Sequence, residues 1–296
     1  MSTAADLRTS GPNSNVVQLA RRIQELSTLP QVALEVMRVA DNPNATAADL
    51  KAVMELDAAL SARVLRSVNS SAYALRTKVT NLQQAITYLG LKHIRNLAMT
   101  AGVSRLFRQE STIGPYRRLK LWRHLVAVGI CGRLLALRLK LANFEDIFLA
   151  GLLHDLGIIL EDQYVHPQFS AAMQALEQGA TLCEVERSRL GFDHTLLGFH
   201  VAENWNFPDL VRNAIRHHHR SLDADAEHRT SVQCVELANL ICSCKGMSSV
   251  GVNLVKISPE VIRELGVGRQ DLTVLASDLD EEIRRNSVLF ENGGAA

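Results

Sequence analysis

His154 and Asp155 stand side by side in GLLHDLGIIL (residues 151–160), a polar pair inside an otherwise apolar run. On a helix their directions differ by roughly 100°, yet both can reach one ion lodged beside them if another element closes the shell. His124, in LKLWRHLVAVGICGRLL, lies on an amphipathic pattern and can supply a third ligand. An imidazole–imidazole–carboxylate set suits iron, manganese or zinc, and such an ion acts as a Lewis acid toward a phosphate ester and its attacking water. The plainer alternative is a buried His–Asp pair that hydrogen-bonds locally and serves packing. Spacing alone leaves both open. His194, in GFDHTLLGFHVAENWNFP, adds a candidate, with Gly198 one turn on to let a neighbouring helix approach. His217, His218 and His219 end a helix that starts near Pro208, where basic residues also answer orphan carbonyls and the helix dipole.

The elements that must position these residues read as helices. Leu50, Val53 and Met54, then Leu60, Val64 and Val68, then Leu82, Ala85, Ile86 and Leu89 recur at spacings of three and four. Thr46 with Asp49 and Thr80 with Gln83 read as capping boxes, and Ser258-Pro259-Glu260 as a further start. With no extended run of alternating β-branched residues, the fold class is all-α. The expected organisation is a disordered stretch over 1–15, a helical lobe over 16–115, a histidine-rich lobe over 116–245 and a helical extension over 246–296.

Composition narrows the function classes. At 296 residues, 47% hydrophobic, 21% charged and net charge +1, the chain has core-forming content and no overall bias toward nucleic acid or anionic membrane. No apolar run reaches the ~18–20 residues of a spanning helix, and residues 1–15 lack a signal peptide's apolar core. The five cysteines show no CxxC spacing and read as reduced thiols of a cytoplasmic protein.

The order His124, His154-Asp155, His194, His217-His218 resembles the HD superfamily of metal-dependent phosphohydrolases, and more closely its signalling branch, the HDOD family. LSTLP (26–30), DAALSARVLRSVNSSAY (57–73), AITYLGLKHIRNLA (85–98) and FLAGLLHDLGIIL carry the resemblance over about residues 20–245. It implies two packed helical lobes, the second HD-domain-like, and a bacterial signal-transduction role exercised by binding unidentified signalling proteins. Catalytic HD domains close the cage with a late aspartate, where VELANLIC has Asn239, a neutral and poorer ligand. The cyclic dinucleotide phosphodiesterases of the superfamily carry a lysine where Ile158 stands and a Gly-Tyr-Pro motif that HHHRSLDADAEHRT lacks. The implied site is His124, His154, Asp155, His194, His217, His218 and Asn239, holding a divalent metal, a small ligand such as a nucleotide, or nothing. The competing expectation is a divergent phosphohydrolase acting on a nucleotide or cyclic dinucleotide.

Residues 105–140 hold nine Lys/Arg against Glu110, a local charge of about +8. Arg117, Arg118, Lys120 and Arg123 form a candidate patch for a phosphate-bearing ligand or an acidic partner, or else a solvated helix face. The near absence of interleaved aromatics argues against nucleic acid. The acidic segment 271–291 is a candidate to pair with the basic stretch, in cis or across a dimer.

Overall fold

Side-chain caps set the first helix boundaries. Thr46 starts α3 (Ala47–Met54) with a complete capping box: its hydroxyl accepts the Asp49 amide and the Asp49 carboxylate accepts the Thr46 amide. Asp57 caps α4 (Ala58–Val68) by accepting the Leu60 amide at 2.8 Å. At α5 (Leu82–Leu89) the expected box shifts by one residue. Asn81 is the cap and accepts the Gln84 amide at 2.9 Å, while the Thr80 amide donates to the Gln84 side chain. The computed structural model describes residues 12–26, 29–73, 75–176, 180–250 and 256–291.

Among the described residues the architecture is all-α apart from one antiparallel hairpin, β1 (Thr112–Ile113) with β2 (Tyr116–Arg117). Two-residue strands are too short to leave an alternating pattern, so periodicity did not reveal them. The N-terminal lobe packs α2 (Gln31–Asp41), α4 and α5 on α6 (Leu91–Val103), with α3 against α2 and α5. The second lobe is built on α7 (Arg118–Arg138) and α8 (Phe144–Leu153). Around them lie α9 (Leu156–Tyr164), α10 (His166–Gln174), α11 (Leu182–Leu190), α12 (His194–Asn204), α13 (Asp209–His217) and α14 (Arg229–Cys244). No helix is long and apolar enough to cross a membrane among the described residues.

One boundary differs from expectation. Helix α1 (Pro12–Glu25) starts inside the stretch expected to be disordered, and it packs on α12 of the second lobe. Val16, Leu19, Ala20 and Ile23 form its buried stripe, and Gln24 donates to the Asn204 carbonyl at 3.0 Å. Residues 1–11 of that stretch lie outside the described residues, as do Ser27 and Thr28 of LSTLP and residues 251–255 and 292–296 of the extension. The rest of the extension forms α15 (Pro259–Leu265) and α16 (Arg269–Arg285), then a 3-10 turn at Ser287–Phe290. One of its acids pairs in cis with the basic stretch, Asp278 with Arg138, while Asp280 pairs outside that stretch with Lys245 at 2.9 Å.

The lobes meet at the start of α8. Glu145 accepts from Asn96 Nδ2 at 2.6 Å and stands 2.8 Å from His93 Nδ1. The Tyr73 hydroxyl lies 2.6 Å from His93 Nε2. Burial pushes the Glu145 carboxyl up, but His93, Arg133 and Asn96 hold it below the usual range. Beside it Arg95, wholly buried, reaches Asp41 Oδ1 at 3.2 Å and Asp146 Oδ1 at 3.0 Å. One guanidinium thus ties α2, α6 and α8 together.

Candidate metal centre

Helix α8 ends at Leu153 and α9 begins at Leu156, so His154 and Asp155 sit at the joint between two helices, not within one. Gly157 follows. A Cβ there would lie 1.9 Å from the His194 carbonyl oxygen, so only glycine lets the start of α12 come this close. That approach delivers His194 to Asp155. His124 arrives from the middle of α7, and His218 from the end of α13.

These side chains converge on one carboxylate. Asp155 Oδ1 lies 3.1 Å from His218 Nε2 and 3.4 Å from His194 Nε2. Oδ2 lies 3.3 Å from His154 Nε2 and 3.6 Å from His124 Nε2. All five residues are buried. The two oxygens therefore face two ligand groups that share Asp155: His124 with His154, and His194 with His218 and His219.

Hydrogen bonds on the far side of each ring fix which nitrogen faces inward. His124 Nδ1 stands 2.7 Å from the Met247 carbonyl, His154 Nδ1 2.7 Å from the Gly151 carbonyl, and His218 Nδ1 3.1 Å from the Ala214 carbonyl. A carbonyl only accepts, so each Nδ1 carries the hydrogen and each Nε2 turns a lone pair toward Asp155. His124 Nε2, His154 Nε2, His218 Nε2 and Asp155 Oδ1 have no hydrogen-bond partner. Four buried acceptors facing one another repel unless a cation lies among them. The donor set fits a divalent metal, which supports the metal reading over packing alone.

The charge states of His124, His218 and Asp155 agree with that reading. Burial, reinforced by His154, lowers His124 to about 4, which keeps it a neutral ligand at pH 7. Burial also lowers His218. Burial opposes the charge of Asp155, yet His154 and His218 hold its carboxyl well below the usual range. His194 goes the other way: despite burial, Glu186 and Asp155 push it up to about 9. Glu186 Oε2 lies 2.7 Å from His194 Nδ1 and accepts the His194 amide at 3.0 Å.

The sequence-selected residues divide. His124, His154, Asp155, His194 and His218 come together. His217 does not: as the last residue of α13 it stays outside both groups, and the chain turns after it so that His219 enters instead, its Nε2 3.1 Å from His194 Nε2. Burial and the neighbouring His218 press His219 well below the usual histidine range. Asn239, on α14, is buried beside the centre, where its Oδ1 accepts the Ser243 hydroxyl at 3.4 Å.

A cavity of about 200 Å³ opens beside Asp155, His194, His219 and Asn239, with Arg187, Arg216, Arg220 and Lys256 also on its walls. None of the candidate patch Arg117, Arg118, Lys120 and Arg123 lines it. Arg118 moreover is buried, its Nε 2.7 Å from Asp162 Oδ2 and its Nη1 donating to the Gln109 carbonyl at 2.8 Å. That internal pair removes it from the surface patch, while Arg117, Lys120 and Arg123 stay exposed.

Sequence reading missed Glu161 and Glu186, because a glutamate on an amphipathic helix is ordinarily a solvated one. Both are wholly buried here. Burial, then the Glu186 charge, holds the Glu161 carboxyl well above its usual range. A raised folded-state pKa stabilises below the unfolded value, and that stability drains away as pH rises above ~4.3 toward the folded value. Glu161→Gln is therefore expected to gain thermal stability over wild type, with a margin that widens from about pH 5 to about pH 8. Melting curves at both pH values check this, and a constant offset would contradict it.

The HDOD domain profile matches residues 26–221. Among solved structures, an HDOD domain protein of unknown function from Geobacter sulfurreducens superposes with a TM-score of 0.75 at 24% identity, covering 94% of this chain and 98% of its own. A Marinobacter aquaeolei VT8 protein, provisionally described as acting in signal transduction, gives 0.70 at 26% identity, over 94% of this chain and 67% of its own. A protein of Treponema pallidum (strain Nichols), itself uncharacterized, is 26% identical over 224 residues, 75% of this chain. The chain spans 43% of that relative's length.

Proposed function

The chain belongs to the HDOD family, and on that premise we propose that it is a regulatory signal-transduction module of bacterial type, acting by binding. In this reading a divalent metal, iron, manganese or zinc, is held by His124, His154 and Asp155 on one side and by His194, His218 and His219 on the other. Its occupancy biases a surface for a signalling protein. The observation that carries the reading is the set of three inward-turned, unpaired Nε2 atoms around the Asp155 carboxylate, two facing Oδ2 and one facing the unpaired Oδ1. A metal bound there supplies Lewis acidity toward a phosphate group. The chain's own residues argue for binding over turnover: Asn239 adds no charge to the cage, and Ile158, 1% exposed, offers no cation where the phosphodiesterases carry lysine.

A second reading, a divergent phosphohydrolase, is favoured by the cavity beside the centre. Its Arg216, Arg220 and Lys256 are the residue types that hold a phosphate ester against Asp155 and His194.

The test is metal content by mass spectrometry, on tag-free protein purified without chelator, with His154→Ala/Asp155→Ala alongside. Near-stoichiometric metal in the wild type, lost in the variant, is the expected result. Metal-free wild type with an intact fold would sink the reading. Hydrolysis of a cyclic dinucleotide to its linear dinucleotide by the metal-loaded protein would instead select the phosphohydrolase.

A further inference from the structure

A second cavity, of about 60 Å³, lies on the N-terminal lobe's side of α7, lined among others by Arg63, Arg66, Ser67, Thr100, Ser104 and Trp122. One water centre needs only about 10–15 Å³, so the space admits a group of phosphate size. Its chemistry is that of an anion site. Trp122 is wholly buried against Phe107, ring centroids 5.3 Å apart, and its Nε1–H finds no acceptor. Indole nitrogen can only donate, so a buried one lacks an acceptor and not a hydrogen.

The charge around the cavity points the same way. Arg63 donates from Nη1 to the Ser104 hydroxyl at 3.2 Å, which fixes its guanidinium at the cavity wall. Arg66 comes from the next turn of α4. Arg105 and Arg108 lie near enough that, after burial, their charges are the main causes lowering Arg63. Asp57 answers Arg105 at 2.8 Å, and the Arg105 Nε remains buried without an acceptor. Four guanidiniums face two carboxylates, Asp57, which is paired, and Glu291 on the cavity wall, and the remaining net positive charge stores repulsion that a bound anion relieves.

We propose that this cavity binds the phosphate group of a small ligand, clamped by Arg63 and Arg66 with the Trp122 indole N–H as a neutral donor. The site is separate from the His/Asp centre and stands whether or not that centre takes metal. Inorganic phosphate and a phosphate monoester share this chemistry.

The experiment titrates inorganic phosphate and, separately, a nucleoside monophosphate into the full chain, followed by calorimetry and tryptophan fluorescence. The chain has two tryptophans, so a Trp122→Phe variant assigns the optical signal. Saturable binding is expected, unchanged in Asp155→Ala and weakened about tenfold or more in Arg63→Gln/Arg66→Gln. Arg66 is exposed, so Arg66→Gln alone, expected to weaken binding several-fold, keeps the test open if the double variant misfolds. Stronger binding of the monophosphate identifies a phosphorylated metabolite as the source, and equal or weaker binding identifies the free ion. Absence of saturable binding by both probes would overturn the proposal. So would loss in Asp155→Ala with retention in the arginine variants, because the anion would then sit at the metal centre.

Discussion

Gly157→Ala is expected to lower the melting temperature by about 10 °C and to release metal from whatever protein still folds. The added Cβ would meet three backbone atoms of His194: O at 1.9 Å, C at 2.7 Å and Cα at 2.9 Å. Flexible side chains can step aside from such a clash, but a helix backbone moves only with its whole helix. Ordinary overpacking costs about 1–3 kcal/mol, and one that must displace α12 belongs above that range. Gly198→Ala provides the scale. Its Cβ would lie 2.8 Å from the Ile215 Cγ2 methyl and 3.3 Å from the Gly157 amide nitrogen, a side-chain clash with one tight backbone contact, so a loss within the ordinary overpacking range of about 1–3 kcal/mol is expected. Circular-dichroism melts of the two variants decide it, and equal losses would refute the backbone argument.

The second large effect is expected at Arg95. Arg95→Ala should destabilise by about 3–5 kcal/mol in urea unfolding, because it removes the cation shared by Asp41 and Asp146 and opens a void in the lobe junction. Asp41 is 38% exposed at its side chain and can rehydrate, whereas Asp146 is 18% exposed and keeps only Lys92, 2.7 Å from its other oxygen. Arg95→Met keeps the stem while removing the charge. In the Asp146→Asn background it should cost less than in wild type, since residue 146 then has no charge to lose a partner. Equal costs in the two backgrounds would mean that Arg95 acts through packing alone.

The helices were legible because burial on one face leaves spacings of three and four, and the structure buries Leu50, Met54, Leu60, Val64, Leu82 and Ile86 as those stripes require. Caps were legible to within one residue. Thr80 and Asn81 can both cap, and only the turn of the chain decides between them. The site was half legible. A residue type shows that it can ligate, but not which way the chain turns. His217 and His219 are therefore indistinguishable in a run of three until α13 ends. Arg118 read as surface charge because its partner Asp162 lies 44 residues away in sequence and meets it only in the folded chain. The same holds for Glu161 and Glu186, whose burial depends on which helix covers them.

Helix α8 has only ten residues, about 15 Å of rise, and is buried along almost its whole length. Its second residue, Glu145, is gripped by His93 and Asn96 of the other lobe, and its cap is His154. A rod this short and this tightly packed does not bend; it shifts as a piece. A displacement of His154 along that axis would therefore carry Glu145 with it, and the reverse. The centre and the seam between the lobes stand at the two ends of one short helix, and a shift of that helix as a unit would move both.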